Sequence, residues 1–493
     1  MAATDTTATV SAPPRLRRAL TLRDLILYGV IVIQPVAPMS VFGVLSDRGR
    51  GHVVTTLLIA MVAMLFTAFS YGRMARAYPS AGSAFTYVGQ EINPALGYIT
   101  GWSMVMDYML NPIICIIWCS QQATVFAPSV PYLFWTLFFG AVLTFLNIQG
   151  IKTSARVNTL LAAGMGAVVA VFFMAAARYI FGHPHDGVGF FTRPFYDPRL
   201  WESKSVLAAT SIAVLTYIGF DGISTLSEEA ENPRRNILLA TVLTCLVIGI
   251  LSAMEVYAAQ LLWPAAERFP NVDTAFTFVG GRAWAPLFAV VGFTLLVANF
   301  GSALGAQIGA ARLLFGMGRS NALPRSFFGV VDPKRHVPRN NVIFVGLIAV
   351  AGAMLVSVGL FSYGLGAEML NFGALIAFMG VNMAAFVRYN VREERKSPVL
   401  PLALTAIAIA LALLPVSNAI TIAALAVCLA ILALTAPPLV GFTICFFLWK
   451  NLSWKAWIVG GIWMLAGIAA GALKTKGFRR NLVDFELPAE DTD

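Results

Sequence analysis

Residues 31–40 read IVIQPVAPMS and residues 216–225 read TYIGFDGIST, and each stretch falls in the middle of an apolar run where an unbroken helix is expected. In the first, Pro35 and Pro38 lack a backbone N–H, and each ring clashes with the carbonyl four residues back. In the second, Gly219 and Gly222 enclose Asp221, so two helix-weakening residues flank a carboxylate. A proline kink or a glycine packing pair would account for either stretch alone. Their spacing argues for more, because the two runs are the first and the sixth along the chain. Five crossings separate them, so the two interrupted helices run in opposite directions.

Working outward, apolar runs lie at about 24–45, 52–74, 95–127, 132–149, 157–181, 205–230, 236–262, 284–317, 341–360 and 367–389, then at 399–416, 418–436, 437–451 and 455–474. The chain has 493 residues, 58% of them hydrophobic and 12% charged, where a soluble chain carries about 25% charged residues. The expected class is therefore an all-α polytopic membrane protein with about 14 transmembrane helices. A repeat of five spans with inverted topology, each half opening on a discontinuous helix, is a plan used by secondary transporters.

A net charge of +10 is the ordinary mark of nucleic-acid binding, but the placement of the charges argues against that partner. With the N-terminus inside, 24 of the 34 Lys and Arg residues fall on the inner side, among them Arg23, Arg73, Arg76, Arg234, Arg235, Arg388 and Arg392. Both termini are expected in the cytoplasm. Residues 1–20 hold Arg15, Arg17 and Arg18 without an apolar core, so the first run reads as a span and not as a cleaved leader.

Broken helices leave N–H and C=O groups at a depth where lipid offers no partner. A cavity holding water, ion or substrate is the usual remedy. At the first break the prolines thin the set of N–H donors while the carbonyls of Gln34, Val36 and Ala37 remain, which tilts recognition toward a cation or amine. Intramembrane acids are functional candidates because burying them is costly. Asp107 shares a helix face with Asn111 and is followed by Tyr108, whose ring would add cation–π attraction. Asp221 sits at the second break, where capping a half-helix is the competing role. Glu255 is a candidate for binding a coupling proton, as is Asp107, whereas Glu368 is expected at the outer end of its span in solvent. Asn299, Ser302, Gln307 and Asn371 are polar residues in apolar surroundings, where interhelix hydrogen bonding competes with lining a pathway.

The five cysteines all lie in apolar runs and read as packing residues. His183-Pro184-His185-Asp186 is the nearest approach to a metal motif and reads as a solvated outer loop. No metal site or cofactor is expected. No metalloprotease, nucleophile-elbow or phosphate-loop motif is present, so a membrane-embedded enzyme is a minor alternative, and a channel another.

Several stretches together resemble the amino acid–polyamine–organocation permeases. They are TYIGFDGISTLSEEAENPRRN (216–236), FSYGRMARAYPSAGSAFTYVGQEINPALGYITGW (69–102), ARLLFGMGRSNALP (311–324) and LNFGALIAF (370–378), in family order over most of residues 20–390. QPVAP (34–38) and MDYMLNP (106–112) look closest to the putrescine importers. The resemblance implies a five-plus-five inverted-repeat, LeuT-like core, with helices 1–5 over 21–181 and helices 6–10 over 205–390. It implies import of amino acids or small amines such as putrescine by alternating access, coupled to a proton or cation, or exchange of such substrates. Carried over by position, the substrate site takes in Gln34, Val36, Ala37, Met39, Ser40, Asp107, Tyr108, Tyr217, Gly219, Phe220, Asp221 and Gly222, with Asn299 and Asn371 nearby. A multi-pass protein of the inner membrane is implied.

Three departures stand out. The glycine-rich first break of the family is replaced by prolines. The fifth helix, over Asn158 to Gly166, lacks the lysine that some proton-coupled relatives carry. Residues 398–436 form an extra hairpin before the last two helices at 437–475, because one crossing cannot absorb the 52 residues from 399 to 450 at about 1.5 Å each.

Overall fold

The computed structural model describes residues 20–78, 83–150, 155–185, 187–227, 230–319, 323–335, 337–414, 419–475 and 477. The expected tails at 1–20 and 476–493 lie almost wholly outside the described residues, as do Lys152 and Asp186. The chain opens with α1 (Leu22–Ile33) and α2 (Ala37–Arg48), two halves of one span bent by 45°. Then come α3 (Val53–Ala77), a short α4 (Ser83–Glu91), α5 (Pro94–Phe126), α6 (Tyr132–Ile148) and α7 (Ala155–Gly182). A one-turn α8 (Val188–Thr192) precedes α9 (Ser203–Ala213), which gives way to tight turns at Val214–Tyr217 and Phe220–Leu226. They are followed by α10 (Pro233–Leu262), α11 (Ala275–Ala283), α12 (Leu287–Arg319), α13 (Arg325–Phe328), α14 (Arg339–Met354) and α15 (Tyr363–Phe386). The last helices are α16 (Val399–Leu413), α17 (Ala419–Thr435), α18 (Pro437–Lys450) and α19 (Trp454–Thr475).

Local chemistry sets these starts. Thr21 and Asp24 form a reciprocal capping box at α1. The Asn93 side chain accepts the Ala95 N–H just before Pro94, and Ser362 caps α15 through the Leu365 N–H. Among the described residues eight helices are long and apolar enough to cross a membrane, or up to nine with the bent α1–α2 pair. Five more apolar helices are shorter: α6, α14, α16, α18 and Ala423–Thr435 within α17. Their outer faces are strongly apolar, with Leu434, Leu473 and Phe181 among the most exposed side chains. In water each such side chain would forgo roughly 1.5–3 kcal/mol of burial. The chain is a multi-pass membrane protein.

The packing follows a pattern. α3 lies along α10, α5 along α12, α6 against α14, and α2 against α9. Small residues allow the close approaches: a Cβ on Gly43 of α2 would come within 1.9 Å of the Val272 carbonyl, and one on Gly373 of α15 within 2.4 Å of the Ser103 carbonyl on α5. α16 and α17 pack on each other and on α18, and they reach the rest of the bundle through a small cluster around Phe386 and Leu432.

α15 is pinned at both ends by buried acids. At the arginine-rich end Glu91 of α4 receives Arg392 at 2.8 Å, Arg388 at 3.5 Å and the Tyr78 hydroxyl at 2.7 Å. At the other end Glu368 is 4% exposed, paired with Arg48 at 3.4 Å and accepting the Ser453 N–H at 3.0 Å. This corrects the expectation of a solvated Glu368. The end of its span is covered by the α18–α19 turn, a neighbour that hydropathy along one helix does not reveal.

Candidate functional site

The two breaks are real and touch each other. At the first, Gln34 adopts φ 72° and ψ 131°, which turns the chain out of α1 and lets α2 restart at Ala37. At the second, Ile218 is extended and Gly219 has φ 123°, a conformation glycine adopts without penalty. A Cβ on Gly219 would lie 3.1 Å from Val32 and 3.2 Å from Ile33, so the second break rests against the end of α1.

The groups freed at the breaks find specific partners. The Gln34 amide donates to the Ala298 carbonyl of α12 at 2.8 Å. Two turns on, the Ser40 hydroxyl accepts the Asn299 amide at 2.9 Å, and the same amide reaches the Leu295 carbonyl at 2.8 Å. Asn371 of α15 donates to the carbonyls of Ser211 and Ile212, at 2.8 and 3.1 Å, and so caps the end of α9 from outside. Asp221 accepts the Gly219 N–H at 3.2 Å and thereby caps its own turn.

Beside this junction stands Asp107. It is 8% exposed, and no donor among the described residues reaches its carboxylate. Asp221 is the charged group within electrostatic reach of it, and no described Lys or Arg pairs with either acid. Tyr71 and Tyr108 stand within reach of both carboxylates, and Tyr28 within reach of Tyr108. The Tyr108 ring lies over Gly309 of α12, where a Cβ would approach it to 2.9 Å. Pro112, inside α5, removes the N–H that would otherwise engage the Tyr108 carbonyl. Asn111 accepts the Ser302 hydroxyl and the Cys115 thiol, both at 3.4 Å. A Cβ on Gly222 would meet nothing within 4 Å except the Tyr28 hydroxyl, at 3.9 Å.

An aromatic wall completes the site. Tyr71 meets Phe220, Phe378 and Tyr87 edge to face at 5.6, 5.9 and 6.1 Å, and its buried hydroxyl has no hydrogen-bond partner among the described residues. Such faces attract a desolvated cation by about 2 kcal/mol.

Asp107, Tyr108 and Asp221 thus lie within electrostatic reach of one another, with Gly219, Phe220 and Gly222 adjoining Asp221 along the second break. The structure places Gln34, Ser40 and Asn299 in a seam between the first span and α12, with Val36 and Met39 buried and Ala37 half-buried beside them. Tyr217 points elsewhere: its hydroxyl donates to the Leu57 carbonyl at 2.9 Å, within α3. Glu255 lies on α10 with both carboxylate oxygens buried and without a partner among the described residues. Sequence reasoning passed over Tyr28, Tyr71 and Phe378. A hydroxyl-tipped ring inside an apolar run was the available signal for Tyr71. Among the described residues no group of His, Cys, Asp and Glu could hold a metal, and His183 instead stacks on Tyr179 at 3.9 Å.

An unpaired carboxylate kept from water costs several kcal/mol unless a cation or proton joins it. A pair of acids under aromatic faces, with no basic residue between them, is built to receive positive charge. Comparison with known proteins points the same way. The amino acid permease family profile matches residues 39–483. The low-affinity putrescine importer PlaP of Escherichia coli (strain K12) is 32% identical over 475 residues, covering 96% of each chain. The branched-chain amino acid permease BcaP of Bacillus subtilis (strain 168) is 26% identical over 493 residues, covering 94% of each. The methylthioribose transporter of the same organism is 24% identical over 419 residues, or 80% of this chain and 86% of that one.

Proposed function

Because this chain belongs to the amino acid permease family, and is a membrane transporter of amino acids or amines, we propose that it imports small amines of the putrescine kind by alternating access. The observation that carries this reading is the buried Asp107 carboxylate, which lacks any donor among the described residues. The ammonium group of the substrate supplies the missing partner, and the rings of Tyr71 and Tyr108 replace part of its hydration. An amino acid also brings an ammonium group, but its carboxylate would have to approach Asp107 and Asp221 with few N–H donors left at the proline-bearing first break.

In this reading the core is a five-plus-five inverted repeat, helices 1–5 over 21–181 and helices 6–10 over 205–390. The pairing of α3 with α10, α5 with α12, α6 with α14 and α2 with α9 supports it, since each pair joins a span to the one five further on. Adding the bent pair and the shorter apolar helices gives fourteen crossings, with 398–436 as a peripheral hairpin. The arginine-rich end faces the cytoplasm and holds both termini, and the membrane is the cell's inner one.

Filling the site neutralises the acids and stabilises an occluded state, around which the two bundles rock. The driving ion is a proton carried by Asp107 or Glu255, buried acids of the spans that have no partner among the described residues.

Uptake of labelled putrescine into proteoliposomes tests the assignment. Asp107→Asn keeps the shape and removes the charge, and losing one charge-assisted contact of about 1.5–3 kcal/mol lowers affinity roughly 10- to 100-fold. Wild-type uptake of putrescine by this variant would remove Asp107 from the site.

A further inference from the structure

The segment between α10 and α11 closes over the end of the molecule opposite the arginines. Asn271 ties it to α5, donating to Gln121 at 3.2 Å, and accepts the N–H groups of Asp273 and Thr274 at 2.9 and 3.2 Å. Thr277 donates to Gln122 of α5 at 2.8 Å, and the Val272 carbonyl rests on Gly43 of α2. Gln121 stands fourteen residues beyond Asp107 on α5, about 20 Å along the helix. This clamp holds Asp273 in a fixed place above the substrate site.

Asp273 has its N–H bonded, but its carboxylate accepts no hydrogen bond among the described residues. The titratable groups within reach are Tyr132 of α6 and Tyr363 of α15, which sits close to Cys115 and Cys119 on the way down α5. Of the charged residues on the surrounding elements, Arg48 of α2 pairs with Glu368 of α15 and Arg282 of α11 with Glu267, while Asp47 of α2 and Arg268 of the same segment are exposed, and neither makes an ion pair with Asp273. Burial pushes the Asp273 carboxyl up to about 6. It is still mostly ionised at neutral pH, and it has no cation of its own.

We infer that Asp273 forms a second, outer cation site, which takes the ammonium group of an arriving amine before it reaches Asp107. This rests on the proposed import function and on its assignment of that end to the outside. Tyr132 and Tyr363 stand within electrostatic reach of the carboxylate, and the clamp through Asn271 and Thr277 holds its segment against α5. The site is weaker than the central one because a single carboxylate serves it and solvent reaches it. Protons compete with the amine there. The sign follows from the raised value: below about pH 6 the carboxyl is neutral and the attraction is lost, and above it the attraction is full.

The test is direct binding of labelled putrescine to the purified full-length protein by scintillation proximity, at pH 7.5 and 5.0. The wild type should bind in two classes. Asp107→Asn should abolish the tighter class and leave the weaker one, which falls about tenfold from pH 7.5 to 5.0, as the ionised fraction does. Asp273→Asn should remove the weaker class and spare the tighter, while Asp273→Glu, which keeps the charge, retains both. Absence of a weaker class in the wild type or in Asp107→Asn, its persistence in Asp273→Asn, its loss in Asp273→Glu, or its indifference to pH would each overturn the inference. Failure of the central assignment looks different: the tighter class would survive Asp107→Asn while the weaker still depended on Asp273.

Discussion

The two breaks solve one problem with opposite materials. The first is stiff, with Pro35 and Pro38 following Gln34, and its loose end is tied to α12 by the side chains of Gln34 and Asn299. The second is supple, with Gly219 at φ 123°, and it is closed by its own Asp221 and by Asn371 reaching in from α15. Proline removes donors and so reduces what must be satisfied. Glycine leaves every donor and acceptor in place, and caps are needed for them. The contrast explains why the charged and aromatic residues of the site, Asp221 and Phe220, gather at the second break and not at the first.

Substitutions can break or sharpen this contrast. The largest effect is expected from Asn371→Ala, which strips the caps from the Ser211 and Ile212 carbonyls and lowers stability by about 2–3 kcal/mol. Thermal unfolding in detergent should drop accordingly, with affinities for different substrates weakened alike. A selective loss of one substrate would move Asn371 from a capping to a binding role. Gly219→Ala comes next, at about 1–3 kcal/mol, because it forces a side chain into a left-handed backbone and against Val32 and Ile33. Gln34→Ala removes one bond to a carbonyl already committed within its helix, and about 1 kcal/mol is expected by the same measurement. If Gln34→Ala destabilised as much as Asn371→Ala, the first break would depend on side-chain caps as heavily as the second, and the distinction would fall. Asn299→Ala should be the mildest, near 0.5 kcal/mol, the size of a typical interhelix bond in a membrane.

Much of this was legible along the chain. The prolines at 35 and 38 and the glycines at 219 and 222 mark the breaks by backbone chemistry alone, and Asp107 stands out because a charge in an apolar run is expensive. Asn371 was legible as a polar residue but not as a cap, since its partners are 160 and 159 residues away. Tyr217 adjoins the break in sequence, yet it ends the tight turn Val214–Tyr217 and its hydroxyl is spent on the Leu57 carbonyl of α3. Glu368 reads as the wet end of a helix, and only the fold covers it with Arg48 and Ser453.

The sequence by itself determined the number and polarity of apolar runs, where helices must fail, and which acids are too costly to be incidental, because these follow from local backbone sterics and from transfer of side chains into lipid. The tertiary structure alone decided which of those acids keep a protein partner and which stay bare. Glu91 and Glu368 meet arginines from distant helices, while Asp107 and Asp273 meet none among the described residues. Coulomb partners are set by proximity in space, and helices far apart in the chain bring them together or leave a gap that a ligand can fill.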